Sequence, residues 1–503
     1  DILTNTISLL FRPRQKEIAR FAQDADAIQR KQLKSLLSAA KDTEWGLKYD
    51  YKSIQGYADF CERIPLQTYD DIKPYVIRMI NGEKNILWPS VVRWYAKSSG
   101  TTNDKSKFLP VTPEILKGCH YKGGFDTVSI YLRNNPDSHF FASKGLILGG
   151  SHSPSPLNRN AHCGDLSAVL LQNLNPLVNL IRVPDKKIIL MDEWESKIKA
   201  IVESTWKADV NSLSGVPSWM LVLIKAVLRK AGCEYLTDVW PNMEVFFHGG
   251  ISFEPYRDQY KALIPSDRMH YMETYNASEG FFGLQDDPAE HSLLMMIDYG
   301  VFYEFIPLNE VDSEHPTVLP LEAVEVGKNY AMVITTSGGL WRYQIGDTVR
   351  FTSLYPYKFV ISGRTKNFIN AFGEELMVDN ADKAISSVCR LTGAKVKEYT
   401  AAPLFMLDKA KGRHQWLIEF EKMPPSLEEF ASLLDKTLQQ LNSDYEAKRY
   451  KEISLQPLEI RVAREGTFYE WLRRKGKLGG QHKIPRLSND RTFIEELGRI
   501  CDL

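Results

Sequence analysis

Four stretches of the chain gather residues able to do chemistry at close spacing. The first is Ala96 to Pro110, AKSSGTTNDKSKFLP, in which Ser98, Ser99, Thr101 and Thr102 surround Gly100, with Lys105 and Lys107 close behind. Hydroxyls and backbone N–H groups can converge on phosphate oxygens where a glycine removes the Cβ that would block close approach, and lysines add point charge. The spacing G-x-x-x-x-G-K-[ST] is absent and no helix-opening G-x-G-x-x-G occurs here, so Walker and dinucleotide-fold mechanisms have no support. Taken alone, the same residues also make an ordinary polar turn. The other three stretches are Thr274 to Gly280 (TYNASEG), Leu340 to Asp347 (LWRYQIGD) and Gln481 to Arg486 (QHKIPR). They bring carboxylates at Glu279 and Asp347 and a lysine at Lys483. Each has a plain alternative: a solvated loop acid, a turn-forming Gly-Asp, and surface charge of the kind that Arg473, Arg474, Lys475 and Lys477 supply nearby. Pro485, Gly479 and Gly480 point instead to a shaped loop around Lys483.

The order SSGTT, YxxSEG, WRYxxGD and a late QxKxPR resembles the Gretchen Hagen 3 (auxin-responsive) acyl-acid amido synthetases. These are a branch of the adenylate-forming superfamily that also holds acyl-CoA synthetases and luciferases. Phe60-Cys61-Glu62-Arg63-Ile64-Pro65 and the approach from Tyr69 to Tyr75 extend the likeness, which spans most of the chain. The resemblance implies ATP and Mg²⁺ as cofactors. It assigns Ser98, Ser99, Gly100, Thr101 and Thr102 to the phosphates, and Glu279 to Mg²⁺ between them, beside Ser278. Tyr275 would stack on the adenine, although an aromatic ending a strand also serves as core. Gly249 and Gly250 would be backbone contacts after a strand, with no catalytic role for His248. Asp347 would accept from both ribose hydroxyls at once, a bond pattern open to a carboxylate, and Arg364 would make a second ribose or phosphate contact. Lys483 would contact the acyl carboxylate and α-phosphate, stabilising charge at the reacting phosphorus. Lys366 aligns with the superfamily's hinge.

These residues need elements to carry them. Helical spacing of apolar residues covers Ile7 to Ala40, and a second helical pair lies near Tyr57–Arg63 and Asp70–Asn81, with Gly82 as a left-handed cap. A strand leads into the SSGTT loop, and Thr112 can cap a helix from about Pro113 to Arg133. From Leu146 to about Asn276, short apolar runs alternate with helices at Asp192–Ala208, Pro217–Ala231 and Glu254–Leu263. Such alternation implies parallel strands with crossover helices, whose ligands collect at the carboxyl ends of the strands. After Gly280, β-rich segments predict a smaller barrel or second sheet. Beyond Lys366 the pattern is a compact α+β module. The fold class is therefore α/β: a large N-terminal adenylate-forming domain of mixed sheets, helices and a β-rich subdomain over 1–365, and a small mobile α+β C-terminal domain over 366–503.

A chain of 503 residues exceeds one small core. Lys plus Arg and Asp plus Glu are both 63, so bulk charge argues for no nucleic-acid or anionic-membrane partner. Apolar runs such as Met220 to Ile224 fall short of the roughly 20 residues that span a bilayer. Six cysteines without C-x-x-C spacing fit reduced thiols of a cytoplasmic enzyme better than a disulfide framework. The expected activity is an ATP-dependent ligase that adenylates a carboxylic acid and passes the acyl group to an amine, an amino acid in the family. An acyl-CoA synthetase and a nucleotide sensor that forms no adenylate are the alternatives. Asn103-Asp104-Lys105-Ser106 departs from the plant-type loop, so neither acid nor amine transfers, and oligomeric state is not encoded in any motif.

Overall fold

The computed structural model describes residues 2–98, 107–150, 152–154, 161–405, 412–450, 455–478 and 483–502. The chain divides into two compact units. The larger comprises Asp1–Gly250, Gln259–Ile345 and Arg350–Val360, and the smaller Ile251–Asp258, Gly346–Val349 and Ile361–Leu503.

In the larger unit, helices Ile2–Ala19 and Phe21–Ala40 bury Phe11, Ile18, Phe21, Ala25, Leu33, Leu36 and Leu37, one apolar stripe along each. Gln29 is the polar member of that stripe and is fully satisfied. Its Nε2 donates to the carbonyls of Ile297 and Val301 at 2.8 and 3.0 Å, and its Oε1 accepts from the Tyr303 amide at 3.0 Å. Helix Tyr69–Ile80 opens on a Thr68–Asp71 capping box and ends before Gly82 at φ +92°.

Strand β1 (Trp94–Ser98) pairs antiparallel with β2 (Lys107–Val111), setting Ser98 opposite Lys107. Thr112 Oγ1 then accepts from the Ile115 amide at 3.1 Å, capping a helical run that reaches Asn134. Within that run the turn Leu116–Tyr121 is π-helical. Next come β3 (Lys144–Ile147), β4 (His152–Pro154), β5 (His162–Gly164), β6 (Arg182–Val183), β7 (Val210–Gly215), β8 (Val245–His248) and β9 (His270–Ala277). Strands β6, β3, β7, β8 and β9 are parallel neighbours, linked through helices that include Trp194–Thr205, Pro217–Ala231 and Arg257–Leu263, as alternation predicts.

The β-rich segments do not form the separate barrel or second sheet expected. Strands β10 (Gly280–Leu284), β11 (Leu293–Met295), β12 (Val301–Pro307), β13 (Leu319–Pro320), β14 (Asn329–Thr336), β15 (Tyr343–Leu354) and β16 (Tyr357–Arg364) continue the same sheet. Its twelve strands run β13-β12-β14-β15-β16-β11-β10-β9-β8-β7-β3-β6. Strand β9 is the seam, parallel to β8 and antiparallel to β10. The turn Ser278-Glu279 is too short for a crossover, so the next strand has to reverse beside it. Strand β15 passes Gly346 at φ +88° without a break.

The smaller unit contains helix Val378–Thr392, ended by Gly393 at φ +72°, then β17 (Lys395–Phe405) and β18 (Gly412–Lys422). Helices Leu427–Leu441 and Ser443–Arg449, strand β19 (Glu459–Val462) and helices Thr467–Arg474 and Thr492–Cys501 complete it. Strands β17-β18-β19 form its sheet, over a core including Ile385, Val388, Trp416, Ile418, Phe430 and Leu434. The last strand has four residues, and Leu455 ahead of it makes only an isolated bridge to Gly412. All six cysteines are free thiols. Among the described residues, no helix is long and apolar enough to cross a membrane.

Candidate functional site

The carboxyl ends of β7, β8 and β9 bring Gly215, His248-Gly249-Gly250 and Ala277-Ser278-Glu279 to one edge of the larger unit's sheet. Both glycines after β8 are required by the backbone. A Cβ on Gly249 would sit 2.5 Å from the Thr274 carbonyl oxygen, and Gly250 has φ +88°. Ser278 and Glu279 are the two-residue turn between β9 and β10, and Glu279 is 8% exposed. Neither residue has positive φ, whereas favoured two-residue hairpin turns need it. Something other than turn propensity therefore shapes this tip. Tyr275 is 6% exposed, with its ring 5.1 Å from Phe282 and 6.1 Å from Phe359. The geometry it displays is that of a core aromatic. His248 is buried, near the Phe246 ring at 5.5 Å. Ser98 ends β1, while Ser99, Gly100, Thr101 and Thr102 lie outside the described residues.

The π-helical turn reaches this hairpin. His120 Nδ1 lies 2.8 Å from Asn276 Oδ1, and Cys119 Sγ receives the Phe281 amide at 3.1 Å. Burial holds the His120 imidazole down to about 4 and pushes the Cys119 thiol up to about 12, so both are neutral at pH 7. No motif singles these residues out, because their role depends on the hairpin arriving from more than a hundred residues away.

In the smaller unit, Asp347 and Arg364 stand on β15 and β16, with Arg364 Nε 3.6 Å from Asp347 Oδ1. A Cβ at Gly346 would come within 3.2 Å of Arg364 Nη2, so glycine lets the guanidinium lie beside the carboxylate. Thr365 donates to the Gly346 carbonyl at 2.9 Å, and Asn367 to that of Arg364 at 3.1 Å. Lys366 is thus exposed in a tight turn, two residues beyond Arg364. Lys483 is also exposed, while Gln481 and His482 lie outside the described residues. The chain after Lys483 is stitched onto β17: Thr400 Oγ1 donates to the Pro485 carbonyl at 2.7 Å, and the Ala401 amide to that of Arg486 at 2.8 Å. Arg486 itself is buried, bonded to Asp382 at 2.7 Å, Glu398 at 3.1 Å and the Tyr256 hydroxyl at 2.9 Å. Desolvation pushes both carboxyls up in pKa, and the guanidinium opposes it. The arginine of QxKxPR anchors the loop that carries the lysine, a role the sequence reading left out.

The WRY half of WRYxxGD is architectural. Trp341 donates to the Leu87 carbonyl at 2.9 Å. Arg342, 4% exposed in its side chain, is bidentate to Glu304 at 3.0 and 2.9 Å and donates to the carbonyls of Cys61 and Ile64 at 2.9 and 2.7 Å. Two motifs of the resemblance, FCERIP and WRY, are therefore halves of one contact.

Comparison with known proteins agrees along the chain. Residues 14–269 match the GH3 family N-terminal domain, 294–364 its central domain and 379–492 its C-terminal domain. The indole-3-acetic acid-amido synthetase GH3.3 of Arabidopsis thaliana is 25% identical over 563 residues, covering 95% of this chain and 92% of that protein. The 4-substituted benzoates-glutamate ligase GH3.12 of the same plant is 22% identical over 556 residues, covering 94% of each. Among solved structures, a GH3.15 acyl acid amido synthetase superposes with a TM-score of 0.76 at 19% identity, covering 96% of this chain and 94% of that one.

Proposed function

The chain belongs to the GH3 family, and from that membership and the site we propose that it is an ATP-dependent acid–amino acid ligase. A carboxylate attacks the α-phosphate of ATP, giving an acyl-adenylate and pyrophosphate. An amino-acid amine then displaces AMP and forms an amide. The observation that carries this reading is the buried Glu279 tip at the seam strand, on the same sheet edge as Gly249 and Gly250. Such an edge is where α/β sheets take nucleotides.

Mg²⁺ fits the donors at this sheet edge. Glu279 and Ser278 offer hard oxygen, and among the described residues no three His, Cys, Asp or Glu gather into a protein-only cage. That suits an ion held by one or two carboxylates together with substrate phosphates. Glu279 would hold it, and it would supply charge neutralisation at the triphosphate. Asp347 accepts from the ribose hydroxyls with Arg364 alongside. Ser98 and the SSGTT loop receive the phosphates, and Tyr275 contributes to the adenine wall. Lys483 stabilises charge at the α-phosphate. The working division is a nucleotide- and acyl-binding domain over 1–365 and a lysine-bearing domain over 366–503, hinged at Lys366. Six free thiols suit a cytoplasmic setting.

The related plant enzymes bear names with different acids, an indole-3-acetic acid and 4-substituted benzoates. Family membership therefore leaves the acid open. The decisive experiment is pyrophosphate exchange into ATP over a panel of carboxylic acids, followed by AMP release with amino acids against CoA. Exchange that needs an acid, and AMP release that needs an amino acid, support the reading. Acid-independent turnover, or AMP release with CoA alone, overturns it.

A further inference from the structure

The tip that carries Glu279 is unusual in three ways at once. Its two-residue turn lacks positive φ. The β9–β10 register slips just behind it, between Phe281 and Gly283, leaving Phe282 as the extra residue of a bulge. The last residue pair before that slip, Asn276 opposite Phe281, is held by two consecutive residues of one helix. His120 Nδ1 lies 2.8 Å from Asn276 Oδ1, while Cys119 Sγ takes the Phe281 amide at 3.1 Å and faces the Phe281 carbonyl at 3.6 Å. One strand is therefore gripped through a side chain and the other through its backbone.

A regular α-helix would not aim neighbouring residues this way, since successive side chains diverge by about 100°. The turn Leu116–Tyr121 is π-helical, which widens the helix locally and re-aims its side chains. The approach is also close. A Cβ on Gly123, the next turn along, would fall 2.4 Å from the Phe281 ring. His120 is 3% exposed, and its Nε2 has no hydrogen-bond partner. A buried imidazole left half satisfied is costly, so the Asn276 contact is held against a penalty that an apolar residue would avoid.

We propose that the π-helical turn is a positioning element for the Glu279 tip, and that His120, acting through Asn276, is its key residue. The neutral ring donates from Nδ1 to the Asn276 amide oxygen, fixing the end of β9. Cys119 fixes the start of β10. Between them the Ser278-Glu279 backbone is set, and with it the direction of the carboxylate proposed to meet Mg²⁺ on ATP. This inference rests on the ligase reading above.

The test compares His120→Asn, which keeps an amide donor near the Nδ1 position, with His120→Gln, which moves it to the Nε2 position, and His120→Leu, which removes it. ATP binding is measured by titration calorimetry with Mg²⁺ and again with excess EDTA, alongside thermal melting. Support for an oriented metal ligand is typically worth 10- to 100-fold. The expectation is that Gln and Leu weaken MgATP binding by about tenfold or more, that Asn stays within about threefold of wild type, and that all four proteins bind ATP alike in EDTA. If Asn loses as much as Gln and Leu, if none differs from wild type, or if the loss persists in EDTA, the positioning role is wrong. Should the Leu variant fail to fold, the Asn and Gln pair still decides. Failure of the ligase reading looks different, because wild type itself would then show no acid-dependent pyrophosphate exchange.

Discussion

Replacing Asp347 separates a ribose ligand from a structural acid. In the structure Arg364 Nε lies 3.6 Å from its Oδ1, with the Asp347 and Arg364 side chains 16% and 32% exposed. That distance is long for a hydrogen bond, and pairs so open to solvent contribute about 0 to 1 kcal/mol. Losing that ion pair should therefore cost Asp347→Ala little folding stability. Its predicted work is with the nucleotide: hydrogen bonds to a charged acceptor are worth about 1.5 to 3 kcal/mol, which is roughly 10- to 150-fold in affinity. The expected result is a rise of that size in the apparent KM for ATP in pyrophosphate exchange, with the KM for the acid nearly unchanged. Asp347→Asn keeps one acceptor oxygen and should fall between. Arg364→Ala also breaks the ion pair but leaves the carboxylate in place, so any rise in the KM for ATP there reports Arg364's own proposed contact with the nucleotide. If Asp347→Ala leaves the KM for ATP unchanged in a folded protein, Asp347 is no ribose ligand.

Lys483→Ala should lower adenylate formation by about 10²-fold or more while sparing amide formation from supplied acyl-adenylate; equal loss in both steps would point to another role. Lys366→Pro fixes φ in the turn after Arg364 and restrains Thr365, so pyrophosphate exchange should survive while amide synthesis is lost; parallel changes in both rates would move the pivot elsewhere. Burial lowers the His120 pKa from 6.5 to about 4, so the unfolded chain binds the extra proton between those values. The corresponding stability, about 3 kcal/mol, is complete above pH 6.5 and is lost as pH falls to 4. Urea unfolding at stepped pH should show that slope, and His120→Asn should flatten it.

The sequence was most readable where ends are marked chemically. Helix Pro217–Ala231 was expected at its observed bounds because Pro217 opens it and Gly232, at φ +69°, closes it. Thr112 identified its helix for the same reason. Periodicity, by contrast, marks β-rich segments after Gly280 but not which edge they join, and it does not pick out β10 (Gly280–Leu284). The edge is decided by the two-residue turn at Ser278-Glu279, which forces β10 to reverse beside β9. Of the candidate site, acids and glycines stood out by type, since a carboxylate beside Gly280 or Gly346 is conspicuous. Their supports did not. Arg486 reads as one more basic residue until Asp382 and Glu398 surround it, and LKGCHY carries no pattern that distinguishes a π-helical turn from an α-helical one.

The Arg342 contact bears on how the chain comes into being. Helix Tyr57–Arg63 has seven residues, too few to persist alone in water. The carbonyls of Cys61 and Ile64 at its end are met by a guanidinium 281 and 278 positions downstream. During synthesis at about 5 to 20 residues per second, that cap follows its helix by roughly a quarter of a minute to a minute. For that interval the segment leading toward the SSGTT stretch has emerged without the group that closes it. The FCERIP segment can therefore reach its closed form only once Arg342 has been made, well after its own helix has emerged.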